Sequence, residues 1–414
     1  MKKCLLISLA LLSAITVQAR DLWKDGVLQD KTLRLDYIFS GTDKISRVAL
    51  DRMTSLDGWS GRRVNLKNIP VAGNGRLLMT DAATGDTLYR NSFSTLFQEW
   101  QTTEEATLVE RSFENVFLVP KPSVPARISL ELSGLGGQTV AEHSFVVNPS
   151  DILIRTLKAQ TTPYKTILKS GDSKDCIDVV ILAEGYREDE MEEFYKHANT
   201  ALEALLRHEP FGKLRGKFNF HAVAVPSRDS GVSIPGKGEW KQTAVHSHFN
   251  TFYSDRYLTT LHLKDLHNLL AGIPYEHIII LANTDNYGGG GIYNSYTLTT
   301  ACHLSFEPVV VHEFGHSFAA LADEYYYDDQ YVQYYVPGIE PWEQNITTKA
   351  DFSSKWEDMM GQEGVGLYEG AGYRSKGAWR SAEDCRMKTN SSKGFCKVCQ
   401  RAIERIILFN TEQF

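Results

Sequence analysis

Residues Val309 to Tyr327 read VVVHEFGHSFAALADEYYY, and within them His312-Glu313-Phe314-Gly315-His316 forms an H-E-x-x-H. In a helix, residues four apart share a face with β-carbons ~6 Å apart, so both imidazoles can reach one zinc ion. Glu313, beside the first imidazole, can then take a proton from a zinc-bound water and pass it to a leaving amine. The apolar flanks Val309, Val310, Val311, Phe314, Phe318 and Leu321 predict that this helix is buried. Two histidines in an ordinary buried helix are the plainer alternative.

A catalytic zinc keeps three protein ligands and one open position. Asp323 follows His316 by seven residues and returns to the same helical face, but ~10 Å further along the axis at ~1.5 Å per residue. The helix must therefore end near Phe318 and the chain fold back if Asp323 is to be the third ligand. Glu324, His303 and Glu307 are the alternatives.

Outward from the motif, Cys176–Ala183 (CIDVVILA), Phe218–Val225 and His277–Ala282 (HIIILA) are nearly continuous apolar runs, the pattern of strands buried on both faces. Between them, Glu188–His208 carries apolar residues at helical spacing, and Leu258–Leu270 reads as another helix. Alternating strands and helices predict an α/β half with a partly parallel sheet. Just before the motif, four glycines at Gly288–Gly291 precede alternating residues, which predicts a loop feeding an edge strand. Such a strand can receive a peptide by strand addition, with Gly290, Tyr293 and Tyr296 as candidate substrate-binding residues.

Upstream, Leu33, Leu35, Tyr37 and Phe39 alternate with period two, and further short runs are separated by Pro and Gly. This predicts an N-terminal β-sandwich over residues 20–160, followed by the mixed-sheet α/β half over 161–414.

Composition narrows the function. The 414 residues carry 44 Lys and Arg against 51 Asp and Glu, a net charge of −7, which gives no electrostatic case for nucleic acid. Met1-Lys2-Lys3, the apolar stretch from Leu5 to Val17 and Val17-Gln18-Ala19 read as a signal peptide over residues 1–19. The stretch is too short to span a bilayer, so an exported protein without a transmembrane anchor is expected. Five cysteines then remain, and a disulfide from Cys385 to Cys396 or Cys399 is the expected staple. Asn345-Ile346-Thr347 matches a glycosylation acceptor, a tripeptide common by chance.

HEFGHSFAALADEY, the downstream GLYEGAGY (Gly366–Tyr373) and DCRM followed by FCKVCQRAI together resemble the secreted bacterial metallopeptidases of the IgA-peptidase family, within the wider metzincin-like zinc peptidases. The resemblance spans roughly Asp175 to Leu408. It implies a metzincin-like zinc peptidase domain, with Met387 in a tight turn packing beneath the imidazoles. Ala319 stands where the metzincin pattern has a turning glycine, and Ala322 where its third ligand would fall. An oxyanion stabiliser is expected near the metal, with Tyr296, Tyr368 and Tyr373 as candidates. The resulting expectation is an exported zinc endopeptidase acting on extracellular proteins, immunoglobulin A or mucosal glycoproteins among them. The rivals are a surface adhesin with a structural zinc and a zinc hydrolase of non-peptide amides. The sequence is silent on oligomeric state.

Overall fold

A computed structural model describes residues 21–158, 162–327, 335–336 and 338–414. The expected leader over 1–19, and the expected boundary at residues 160 and 161, lie outside the described residues. Among those described, no helix is long and apolar enough to cross a membrane.

The first strands are β1 (Leu28–Gly41), β2 (Ser46–Asp57), β3 (Gly75–Asp81), β4 (Thr87–Phe93), β5 (Arg111–Pro122), β6 (Ala126–Ser133), β7 (Thr139–Val147) and β8 (Arg155–Thr156). They form two four-stranded sheets, ordered β5-β1-β2-β8 and β4-β3-β6-β7. The sheets pack face to face, as the ring centroids of Phe93 and Phe117 show at 4.4 Å. Two helices too short to leave a periodic signal, α1 (Leu96–Trp100) and α2 (Glu105–Leu108), join β4 to β5.

Strand β1 departs from simple alternation. Leu33, Leu35, Tyr37 and Phe39 are buried as expected, but so are Arg34 and Asp36 between them. The second face of β1 is covered by the C-terminal half. Arg34 Nε donates to Asp36 Oδ1 at 2.6 Å, and its terminal nitrogens reach Asn268 Oδ1 at 2.8 Å and the Lys264 carbonyl at 3.1 Å. A buried guanidinium is tolerated because it is paired and hydrogen-bonded on several sides.

The C-terminal half contains β9 (Tyr164–Leu168), β10 (Ile177–Glu184), α3 (Met191–Leu206), β11 (Phe218–Val223), α4 (Leu263–Leu269), β12 (His277–Ala282), β13 (Gly289–Ile292), β14 (Tyr296–Thr300) and α5 (Phe306–Ala319). Beyond these lie β15 (Ile346–Thr347), β16 (Tyr368–Ala371), β17 (Arg374–Arg380) and α6 (Lys397–Thr411). Six strands make a mixed sheet ordered β13-β14-β12-β10-β11-β9, parallel at its centre and antiparallel at both ends. Its central strands are apolar throughout because both faces are covered. Ile177, Val179, Ile181 and Ala183 of β10 share a core with Phe194 of α3, Phe314 of α5 and Ile403 of α6. Val180 and Leu182 face the other way, into the buried cluster that contains α4 and the sandwich interior. Each fully buried aliphatic side chain contributes about 1.5–3 kcal/mol.

The helix expected over Leu258–Leu270 begins only at Leu263. Residues ahead of it are extended instead, bridging Thr259 to His248 and Tyr257 to Gly289.

Candidate metal centre and cleft

Helix α5 buries Val310, Val311, Phe314 and Phe318 against the sheet and turns His312, Glu313 and His316 toward a cleft of about 1490 Å³. It ends at Ala319. Ala320 then takes a left-handed conformation (φ 56°, ψ 37°), and Leu321 N–H returns to the Gly315 carbonyl at 3.2 Å. The turn is made without glycine, at a cost of roughly 1–2 kcal/mol for a left-handed alanine.

That reversal brings Asp323 back beside the two imidazoles. His312 Nε2 and His316 Nε2 lie 3.0 Å apart, and Asp323 Oδ1 lies 3.0 Å from the first and 3.2 Å from the second. Each imidazole offers Nδ1 to a carbonyl oxygen, His312 to Arg386 at 2.9 Å and His316 to Leu321 at 2.5 Å. With the protons held on Nδ1, both Nε2 lone pairs face Asp323 Oδ1, which is buried with no hydrogen-bond partner. Three electron-rich atoms at this spacing repel one another unless a cation sits between them. Metal bonds of ~2.0–2.1 Å in tetrahedral geometry place ligand atoms about 3.3 Å apart, so the donor set fits one small metal ion. The Glu313 carboxylate lies within 4.8 Å of both imidazoles.

The electrostatics are those of a tight cluster. The same three atoms draw a proton as they would a metal ion: burial opposes a charge on His316, but the Asp323 carboxylate outweighs it and lifts the pKa to about 9. Asp323 is held well below the carboxylate range by the imidazoles despite its burial, and burial pushes Glu313 up.

Several residues fix the three candidate ligands. Met387 is fully buried, and a β-carbon added to Gly315 would stand 2.8 Å from its Sδ, so the sulfur packs directly on the H-E-x-x-H helix. The same turn supplies the Arg386 carbonyl to His312, and Met387 O accepts from Glu324 N–H at 2.8 Å. Tyr373 donates its hydroxyl to Asp323 Oδ2 and lies 3.1 Å from the hydroxyl of Tyr325, whose ring stacks on His312. Asn345 clamps the returning loop. Its Oδ1 accepts from Ala322 N–H at 2.8 Å, and its Nδ2 donates to the Ala322 carbonyl and to Glu324 Oε1, both at 2.9 Å. A fully buried asparagine with both ends engaged is no glycan acceptor, contrary to the tripeptide match.

The other candidate ligands are placed elsewhere. Glu324 points away from the imidazoles, toward Asn345 and Cys399. His303 packs on Tyr287, and Glu307 pairs with Arg207. Among the tyrosines considered for the oxyanion, Tyr373 reaches the cluster. Tyr296 does not: it is 1% exposed and its hydroxyl donates to the Thr260 carbonyl at 3.1 Å.

The glycines do not feed the edge strand; they are the strand. Gly289, Gly290 and Gly291 make up most of β13, antiparallel to β14. Its outer edge is already engaged at Gly289, whose N–H donates to Arg256 O at 3.2 Å and whose carbonyl accepts from Leu258 N–H at 3.3 Å. Gly290 lines the cleft against the Tyr257 ring. Tyr293 is 2% exposed and packs on Trp342 at the cleft wall.

Sequence reasoning missed the sandwich's share in the cleft. Arg76, Ser94, Gln98 and Glu99 line it, and the Tyr257 hydroxyl donates to Glu99, a carboxyl that burial pushes up to about 7. No metal spacing marks these residues, so nothing local in the sequence points to them. Tyr325 and Arg256 were also missed; Arg256 lies over the rings of Tyr325 and Tyr327.

The expected disulfide staple is absent. The described cysteines are all free thiols, and Cys385 Sγ and Cys399 Sγ are 3.7 Å apart, against ~2.05 Å for a bonded pair.

Two family models match the chain. The one described as IgA Peptidase M64 covers residues 166–364 and 360–407, and the one described as Peptidase M64 N-terminus covers residues 25–143. No curated protein matches it.

Proposed function

This chain belongs to the IgA-peptidase M64 family, and from that premise we propose that it is an exported, zinc-dependent endopeptidase with a metzincin-like catalytic half. The observation that carries the reading is the triangle of His312 Nε2, His316 Nε2 and Asp323 Oδ1 beside Glu313, on the floor of an open cleft. These three residues would hold the metal. When bound, zinc supplies Lewis acidity toward a carbonyl oxygen and lowers the pKa of water.

The chain's own residues do the rest. Glu313 accepts the proton of the attacking water and returns it to the departing nitrogen. Tyr373 holds Asp323 through its second oxygen, and the Arg386 and Leu321 carbonyls keep both imidazoles in the tautomer that presents Nε2. A polypeptide substrate lies in the cleft between β13 and the sandwich. Because Gly289 is occupied, main-chain pairing with substrate uses β13 beyond that residue. Extracellular proteins are the substrate class, with immunoglobulin A as the candidate that the family description names and mucosal glycoproteins as the alternative. The apolar leader supports export.

The test is cleavage of a diverse peptide and glycoprotein mixture by the purified protein, read by mass spectrometry beside two variants. Glu313→Ala should keep its metal and lose nearly all cuts, and His316→Ala should lose the metal. Full activity in Glu313→Ala would refute the mechanism. Absence of cuts by the parent, with metal bound and the fold intact, would favour a hydrolase of non-peptide amides.

A further inference from the structure

A second group of metal-ligating side chains lies on the far side of the returning loop. Cys385, Cys396, Cys399 and Glu324 place one ligand atom each within 4.8 Å of one another. Cys385, Cys399 and Glu324 are fully buried, and Cys396 is partly so. We propose that these four residues form a second, closed metal site of the structural zinc type, which fastens the floor of the catalytic cleft.

The spacing separates this from the two plainer readings. Cys385 Sγ and Cys399 Sγ stand 3.7 Å apart. That is far beyond a disulfide, but tetrahedral Zn–S bonds of ~2.3 Å give sulfur–sulfur separations of about 3.8 Å. Cys399 Sγ is 3.1 Å from Glu324 Oε1, which supplies the fourth corner.

Polar donors converge on two of the three sulfurs, Cys385 and Cys396. Cys396 N–H points at Cys385 Sγ at 3.2 Å, Cys399 N–H at Cys396 Sγ at 3.5 Å, and the Ser381 hydroxyl lies 3.2 Å from Cys396 Sγ. Cys396 is the N-cap of α6, where the helix dipole favours negative charge. Glu324 Oε2 is buried with no hydrogen-bond partner. A disulfide would consume two sulfurs and leave the third thiol beside a buried carboxylate, whereas one cation uses all four groups. Three thiolates select a soft or borderline metal over calcium or magnesium.

The site has a structural consequence. Glu324 adjoins Asp323, and Cys385 lies two residues before Met387, whose carbonyl accepts from Glu324 N–H. One ion would therefore tie the third catalytic ligand and the methionine turn to α6. No ligand is shared with the catalytic cluster, so this proposal stands apart from the peptidase reading.

The experiment is elemental analysis of the purified full chain after zinc loading and desalting, with intact mass measured alongside. Two zinc ions per chain are expected in the parent, one in His316→Ala, one in Cys399→Ser and none in the double variant. As a readout that does not depend on the folding of Cys399→Ser, the parent and His316→Ala are also loaded with cobalt(II). Both should then show thiolate-to-cobalt charge-transfer absorption in the near ultraviolet. A single ion that disappears in His316→Ala overturns the proposal, as does an intact mass two hydrogens low, which marks a disulfide. A single ion that survives His316→Ala and is lost in Cys399→Ser supports this site while overturning the catalytic one.

Discussion

A β-carbon added to Gly289 would stand 2.7 Å from Oε1 of Glu313 and 2.9 Å from its Cγ. Gly289 and Gly291 of β13 are thus required by close approach to the H-E-x-x-H helix, not by flexibility. At Gly291 the corresponding contact is with the Glu313 carbonyl oxygen, at 2.3 Å. The two positions differ because a carboxylate can swing aside and a helical backbone cannot. Gly289→Ala should therefore retain metal and fold while turnover falls about 10–100-fold through displacement of the base. Gly291→Ala should instead lose about 3 kcal/mol of stability through overpacking. Metal content, kcat and urea unfolding separate the two.

Gly315 offers a case where helix propensity and packing oppose one another. Replacing a mid-helix glycine by alanine ordinarily gains about 1 kcal/mol. Here the new methyl meets Met387 Sδ at 2.8 Å and the Phe395 ring at 3.3 Å. Packing should win, making Gly315→Ala destabilising by about 1–2 kcal/mol. In a Met387→Ala background, itself about 2–4 kcal/mol less stable, the same change should become neutral or favourable. A double-mutant cycle of unfolding free energies measures this coupling; simple additivity would show that the sulfur does not press on the helix.

Tyr373→Phe removes the hydroxyl that Asp323 Oδ2 accepts from. Loss of such an outer hydrogen bond typically weakens metal binding 10–100-fold. Chelator competition should show this shift at the His312–His316 site, with the unfolding midpoint nearly unchanged in the metal-free protein.

His277 on β12 packs against the Phe318 ring at 4.7 Å, and burial depresses its pKa to about 4 from 6.5. Above pH 6.5 the residue is neutral in both states and carries no penalty. As the pH falls from 6.5 toward 4, the unfolded chain binds a proton that the folded one does not, so stability is lost across that window, by up to about 3 kcal/mol. His277→Leu should flatten the stability profile between those pH values. Parallel slopes for parent and variant would exclude His277 as the source.

Asn345→Ala leaves the Ala322 N–H and carbonyl without their partner and removes one of the two contacts to Glu324 Oε1, the other being Cys399 Sγ. The expected cost is about 2–3 kcal/mol, with weaker metal retention because the loop carrying Asp323 loosens. Expression in a glycosylating host should add no glycan at this asparagine.

Much of the architecture follows from local pattern. The continuous apolar runs are the central strands β10, β11 and β12, and the period-two run of Leu33 to Phe39 lies in β1. Covalent spacing alone puts His312 and His316 on one helical face, and the helix's rise alone requires a chain reversal before Asp323 can join them. Which of two adjacent carboxylates turns inward was decided by the left-handed Ala320 and by Asn345, more than twenty residues further along the chain. The same holds for the edge of β13, taken up by residues 256–258, for Tyr296, which faces the Thr260 carbonyl, and for Glu324, which joins three cysteines more than sixty residues on. Periodicity records which way a side chain points relative to its own element. What it meets there depends on how separate elements pack, and no short window of sequence contains that sum of contacts.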